Sequence, residues 1–72
     1  MRTLDLHGVY HESVERLVEN FILLHESPVK IITGRSPRMI EIVHEILAKH
    51  DMLFYPENYS NFGAYIVMDK TK

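Results

Sequence analysis

The 72-residue sequence contains no cysteine. A disulfide framework, a zinc ribbon and a cysteine nucleophile are therefore excluded. Its apolar runs, such as residues 21–24 and 65–68, are far shorter than the roughly 20 residues of a membrane-spanning helix. The first residues also lack the apolar segment of a signal peptide. We therefore expect a cytoplasmic protein that does not bind a membrane.

Positive charge is not in excess, because 8 Lys and Arg residues stand against 10 Asp and Glu residues, for a net charge of −2. Free-standing, nonspecific nucleic-acid binders are usually basic, so a nucleic-acid contact here would need a local cluster. Arg35 and Arg38 form the one notable basic pair. Residues 1–72 are expected to form a single domain, and so short a chain favours a shallow site at loop ends over a deep cavity.

Two segments have the apolar spacing of amphipathic helices. In residues 11–24, apolar side chains recur every three or four positions, and Pro28 follows the segment. The residue before a proline disfavours helix, so the helix should end before that point. Residues 37–49 repeat the spacing after Ser36 and Pro37. Serine is a preferred N-cap and proline suits the first helical position, so the second helix is predicted to begin there.

Short apolar or alternating segments bounded by glycine, proline or turn residues predict four strands: residues 3–6, 29–33, 52–55 and 64–68. The third strand is expected to stop at Pro56, and the polar residues 57–63 to form a turn. The resulting order is βαβαββ. Strand–helix–strand units favour parallel pairing of the first two strands, and the short last connection favours an antiparallel closing pair. This predicts an α/β two-layer sandwich, with a small mixed sheet and both helices on one face.

This topology places the ends of the first two strands at the same edge of the sheet. Ligands of open α/β sheets tend to bind outside the carboxyl ends of the strands. The second loop also leads into a helix N-terminus, whose free N–H groups and positive dipole end favour anions. Arg35 adds a fork of donors that suits phosphate. The residues that this edge would gather are Asp5, His7, Gly8, Thr33, Gly34, Arg35 and Ser36.

Three segments carry a resemblance to a known family: Leu4-Asp5-Leu6-His7-Gly8, Ile31-Ile32-Thr33-Gly34-Arg35 and Phe62-Gly63-Ala64-Tyr65-Ile66-Val67. With them, nearly the whole chain resembles the Smr (small MutS-related) domain. The resemblance implies a sandwich similar to the C-terminal domain of a bacterial translation initiation factor. It also implies nucleic-acid binding and, as in many members, endonuclease activity on DNA or RNA. Two departures are that Ser36 replaces the second glycine usual in the second motif, and that only Gly63 remains of the glycines before the last strand.

On this reading Asp5 and His7 are the catalytic residues, with His7 transferring a proton and Asp5 orienting it or holding a cation. The alternatives are a structural histidine that ties two loops together and an aspartate that caps a neighbouring loop. The residues predicted to bind nucleic acid are Gly8, Thr33, Gly34, Arg35, Ser36 and Arg38. For the two arginines, the alternative is an ordinary solvated surface position.

No cofactor is required by this chemistry, no metal ligands are assigned, and a divalent cation such as Mg²⁺ is left open. The expected partner is DNA or RNA, with the ribosome or a larger protein as a further option, and a monomer is compatible with the sequence. Two other functions stay open. One is a non-catalytic nucleic-acid or ribonucleoprotein binding module, and the other is a protein-interaction module that uses its acidic helix faces.

Two further groups of residues invite a function but have ordinary structural alternatives. Tyr10, Tyr59 and Phe62 could stack on bases, although packing against the sheet is the commoner fate of such side chains. The remaining histidines are expected at the surface or at helix ends: His11, His25, His44 and His50.

Overall fold

The computed structural model describes residues 1–58 and 60–70, without the side chains of residues 61 and 62. Its elements follow the predicted βαβαββ order. They are β1 (Arg2–Asp5), α1 (His11–Leu24), β2 (Val29–Ile32), α2 (Pro37–Lys49), β3 (Met52–Asn58) and β4 (Asn61–Asp69). Within these described ranges, neither helix is long and apolar enough to cross a membrane.

The strands form one mixed sheet in the order β1-β2-β4-β3. β1 and β2 are parallel neighbours, and the pairing of Leu4 with Ile31 sets their register. β4 is antiparallel to both β2 and β3. The predicted parallel first pair and antiparallel closing pair are therefore both confirmed. Because β1 and β2 run the same way, their carboxyl ends, and the starts of both helices, lie at one edge of the sheet.

Both helices have the predicted bounds, and the start of α2 shows why local chemistry sufficed there. Ser36 is the N-cap of α2, and its Oγ accepts a hydrogen bond of 3.2 Å from the Met39 N–H, as a capping serine should. Pro37 occupies the first turn, where the N–H that proline lacks is not needed. Tyr10 precedes α1 as its N-cap but makes no side-chain cap.

The predicted end of β3 at Pro56 is wrong, and so is most of the predicted turn over residues 57–63. β3 continues to Asn58, and β4 already begins at Asn61. Pro56 is tolerated because β3 is an edge strand, so the donor that proline lacks is not needed on the open side. The ladder is irregular between Pro56 and Asn58, which absorbs the misfit.

A single hydrophobic core lies between the sheet and the two helices. Val29 and Ile31 alternate along β2 and are both fully buried, so one face of the sheet is covered. Each helix contributes fully buried side chains to that same cluster, including Val18 from α1 and Leu47 from α2. Both helices therefore pack on one face, which gives the predicted two-layer sandwich.

The other face of the sheet is more open. Leu53 and Met68 are paired across β3 and β4, and they are exposed together with Tyr55. These side chains point away from the helices because successive residues of a strand face opposite sides of the sheet.

Candidate functional site

The first motif ends in a tight turn at the carboxyl end of β1. The Leu6 N–H donates to Ile32 O at 2.8 Å, which extends the parallel pairing one residue beyond the strand. The Val9 N–H then donates back to Leu6 O at 3.0 Å. Gly8, at the third position of this turn, has a φ of +81°, as a type II turn requires. Glycine adopts that conformation without steric cost, so Gly8 serves the backbone first.

Asp5 holds this turn through the main chain. Its Oδ1 accepts a hydrogen bond of 2.9 Å from the backbone N–H of His7. In the described part of the chain, no hydrogen bond joins the Asp5 carboxylate to the His7 ring. Asp5 therefore positions the backbone that carries His7, as expected for an aspartate at a turn. Its predicted role in orienting the imidazole stays a prediction.

The His7 ring lies beside Gly34 of the second motif. His7 is exposed, and its Cδ2 atom lies 3.5 Å from the point that a Cβ on Gly34 would occupy. The absence of a side chain at Gly34 thus leaves room beside the ring. Gly34 has a φ of +71°, so a glycine suits its backbone conformation as well. The structure confirms that the two loops, far apart in sequence, meet at one edge.

The third motif reaches the same edge through a main-chain carbonyl. Gly63 O accepts hydrogen bonds from the Thr33 N–H at 2.8 Å and from the Gly34 N–H at 3.1 Å. The Thr33 hydroxyl donates to Gly34 O at 2.8 Å and lies 3.3 Å from Gly63 O. Thr33 is only 3% exposed. Its side chain shapes the loop, and the predicted phosphate contact would have to displace these bonds.

The start of α2 is the part of this edge with unsatisfied donors and positive charge. The first turn of α2 contains no acidic residue, whereas that of α1 contains Glu12. Arg35 is exposed just before the helix, and it makes no ion pair with any residue in the described ranges. The N–H groups of Gly34, Met39 and Ile40 are already bonded, and proline at position 37 has none. Among the described residues, the donors left for an anion in the first helical turn and just before it include the Arg35 side chain and the Arg38 N–H.

The side chain of Arg38, the other arginine predicted to bind nucleic acid, is engaged within α2. Its guanidinium is paired with the Glu41 carboxylate one turn further along α2. It also lines a groove of about 440 Å³ between the two helices, whose other lining residues are His11, Glu12, Glu15, Ile42, Glu45, Ile46 and Lys49. Half of the ionisable lining is acidic, so this groove is less suited to phosphate than the Arg35 loop.

Two histidines outside the motifs contact neighbouring side chains at the ends of the helices. The His25 ring packs edge-on against Phe21 at 5.0 Å, and His50 Nε2 lies 2.7 Å from the Glu19 carboxylate. That contact, together with the charge of nearby Lys49, holds the pKa of Glu19 below its ordinary value. His25 and His50 are thus the helix-end residues that the sequence predicted.

His44 is the exception, and the prediction of a surface position is wrong. Its ring lies between Phe54 at 4.5 Å and Tyr65 at 4.7 Å, against the sheet. Nε2 is buried and has no hydrogen-bond partner in the described chain, and burial lowers the pKa of the imidazole. The helical spacing of the sequence indicated this half-buried position, because residue 44 is four residues after Ile40 and three before Leu47, next to the apolar side of α2.

Tyr10 is the one aromatic stacking candidate whose side chain lies among the described residues. It is 78% exposed, so it does not pack against the sheet. It follows the Gly8 turn directly and opens α1 at the same edge as the motifs. Tyr59 and the side chain of Phe62, the other two aromatic candidates, lie outside the described residues.

Within residues 1–58 and 60–70, no group of three or more His, Asp and Glu side chains is arranged to hold a metal ion. The chain matches no family model, no curated protein and no solved structure in the comparisons with known proteins.

Proposed function

We propose that this chain is a nucleic-acid-binding domain of the Smr type that cleaves phosphodiester bonds, with the ligand backbone at the edge where β1 and β2 end. The observation that carries the proposal is the closeness of the His7 ring to Gly34, with Cδ2 3.5 Å from the point that a Cβ on Gly34 would occupy. Three separate sequence segments that resemble Smr motifs meet there, and Gly63 O ties the third to the second. Such convergence is what a shared ligand site would need.

The chemistry follows from the groups available at this edge. Arg35 and the Arg38 N–H at the start of α2 supply the donors for a phosphate. The His7 imidazole is exposed at this edge, and an imidazole is the commonest general base of proteins. With RNA, His7 would remove the proton of a 2′-hydroxyl. The 2′-oxygen then attacks phosphorus, the bond to the 5′-oxygen breaks, and solvent water donates a proton to that leaving oxygen. The products are a 2′,3′-cyclic phosphate and a free 5′-hydroxyl.

One observation favours the alternative of a binding module without catalysis. The Asp5 carboxylate is engaged with the backbone of His7, so the ring lacks a carboxylate partner in the described chain. A histidine without such a partner is a weaker base than one in a His–Asp pair. Binding by the Arg35 loop does not depend on this pairing.

Cleavage of end-labelled RNA and DNA by the purified chain, with and without a chelator, tests the proposal. His7→Ala should abolish cleavage but keep binding, since Arg35 and the helix start are unchanged. His25→Ala is the matched control, because His25 lies at the other end of α1 and should leave cleavage intact. Cleavage that survives His7→Ala contradicts the catalytic role, and binding without any cleavage by the parent chain supports the binding module.

A further inference from the structure

The fold does not explain why position 10 is a tyrosine, because the Tyr10 side chain contributes little to it. Its side chain is 78% exposed and makes no ring contact or hydrogen bond with the residues that the structure describes. It stands at the N-cap of α1, where Ser, Thr, Asp or Asn would satisfy a free N–H and tyrosine does not. Only its carbonyl is engaged, by the Ser13 N–H at 3.0 Å.

The position of Tyr10 relates it to the proposed ligand site. Both helices begin at the edge where β1 and β2 end, α1 with Tyr10 and α2 with Ser36. His7 lies three residues before Tyr10, and its ring is 3.5 Å from the point that a Cβ on Gly34 would occupy. His11, the residue after Tyr10, lines the same groove as Arg38 in the first turn of α2, so the two helix starts are neighbours. The hydrogen-bonded turn from Leu6 to Val9 holds the short connection in one conformation. The Tyr10 ring is therefore exposed at the same end of the sheet as the proposed phosphate site.

Charge alone gives this edge little affinity for nucleic acid. The chain carries a net charge of −2, and Arg38 is already paired with Glu41. Arg35 is the remaining arginine of the second loop, which corresponds to about one phosphate contact. Binding must therefore draw on a contact that does not depend on charge. Stacking of a base on an exposed aromatic ring is such a contact, and it tolerates any base because every base has a π-face.

We propose that Tyr10 is a base-stacking residue of this edge, and that the site takes an unpaired nucleotide next to the phosphate bound by Arg35. In a duplex both faces of an interior base are covered by its neighbours, so only an unpaired base offers a free face to the ring. The ligand class is single-stranded nucleic acid, or an unpaired segment within a folded one. This inference rests on the proposed function, which supplies the phosphate site.

Fluorescence anisotropy with a labelled short oligothymidine, a short oligouridine and a blunt duplex tests the inference and compares DNA with RNA. Tyr10→Ala should weaken binding of the single strands roughly 5- to 150-fold and leave the duplex affinity unchanged. Tyr10→Phe keeps the ring and should retain the parent affinity. Tyr55→Ala is the matched control, since Tyr55 is also exposed but lies on β3.

Salt dependence separates stacking from charge. The loss caused by Tyr10→Ala should be the same at low and high salt, whereas the loss caused by Arg35→Ala should shrink as salt is raised. If Tyr10→Ala binds single strands like the parent while Arg35→Ala does not, the stacking role is wrong and the phosphate site stands. If the parent chain binds none of the three ligands, the proposed function fails and the stacking role fails with it.

Discussion

Replacing Gly8 and Gly34 by alanine, one at a time, should separate the two reasons for glycine in the motif loops. Both residues have positive φ, +81° and +71°. An L-residue in that region costs about 1–2 kcal/mol, because its Cβ approaches the following carbonyl oxygen. The two sites differ in space, since a Cβ on Gly8 would meet nothing within 4 Å, while one on Gly34 would lie 3.5 Å from the His7 ring.

A separation of 3.5 Å is an ordinary van der Waals contact, so it adds no clash to the backbone cost. Gly8→Ala and Gly34→Ala should therefore lower the free energy of unfolding equally, by about 1–2 kcal/mol. In a domain of this size each kcal/mol corresponds to a fall in Tm of about 4–8 °C. Asparagine tolerates the left-handed region better, so Gly34→Asn should cost less than Gly34→Ala.

Function should distinguish the pair where stability does not. Only Gly34→Ala places a methyl group against His7, in the space that the proposed phosphate site needs. At equal loss of Tm, measured by circular dichroism, Gly34→Ala should weaken oligonucleotide binding more than Gly8→Ala does. A loss at Gly34 of more than about 3 kcal/mol would indicate a true clash and refute the geometric reasoning. No change in Tm for either variant would refute the strain argument itself.

The remaining predictions concern Arg35 and His44. Arg35→Ala should weaken nucleic-acid binding at low salt and lower the slope of log affinity against log salt concentration by about one phosphate contact. It should change the free energy of unfolding by less than about 0.5 kcal/mol. Arg35→Lys should restore only part of the affinity, because lysine keeps the charge but loses the forked donors of the guanidinium. For His44, whose pKa is lowered by burial, the unfolded chain binds more protons below the ordinary value of 6.5, so the free energy of unfolding should fall as pH drops below that value. His44→Phe keeps the ring packing and removes the unpartnered Nε2, so it should stabilise the chain by about 1 kcal/mol and flatten this pH dependence in denaturant titrations. An unchanged pH dependence in His44→Phe would contradict the conclusion that His44 causes the loss of stability at low pH.

The sequence alone determined the parts of the fold that depend on neighbouring residues. Apolar spacing located both helices, and the cap at Ser36 with Pro37 marked the start of α2, because helix formation and capping are short-range. The parallel first pair followed from the strand–helix–strand order. That pairing was enough to predict that the Asp5–Gly8 turn and the Arg35 loop share an edge, and the position of the His7 ring beside Gly34 confirms it.

Tertiary structure decided what each side chain and strand edge meets. Pro56 reads as a strand end, yet it is accommodated because β3 lies at the sheet edge, and a linear sequence does not state which strand is outermost. The Thr33 hydroxyl has acceptors only because β4 pairs with β2 and brings Gly63 beside it. His44 lies against Phe54 because α2 packs on the sheet beside β3. Contacts between residues far apart in the chain depend on strand order and packing, and local spacing carries no record of either.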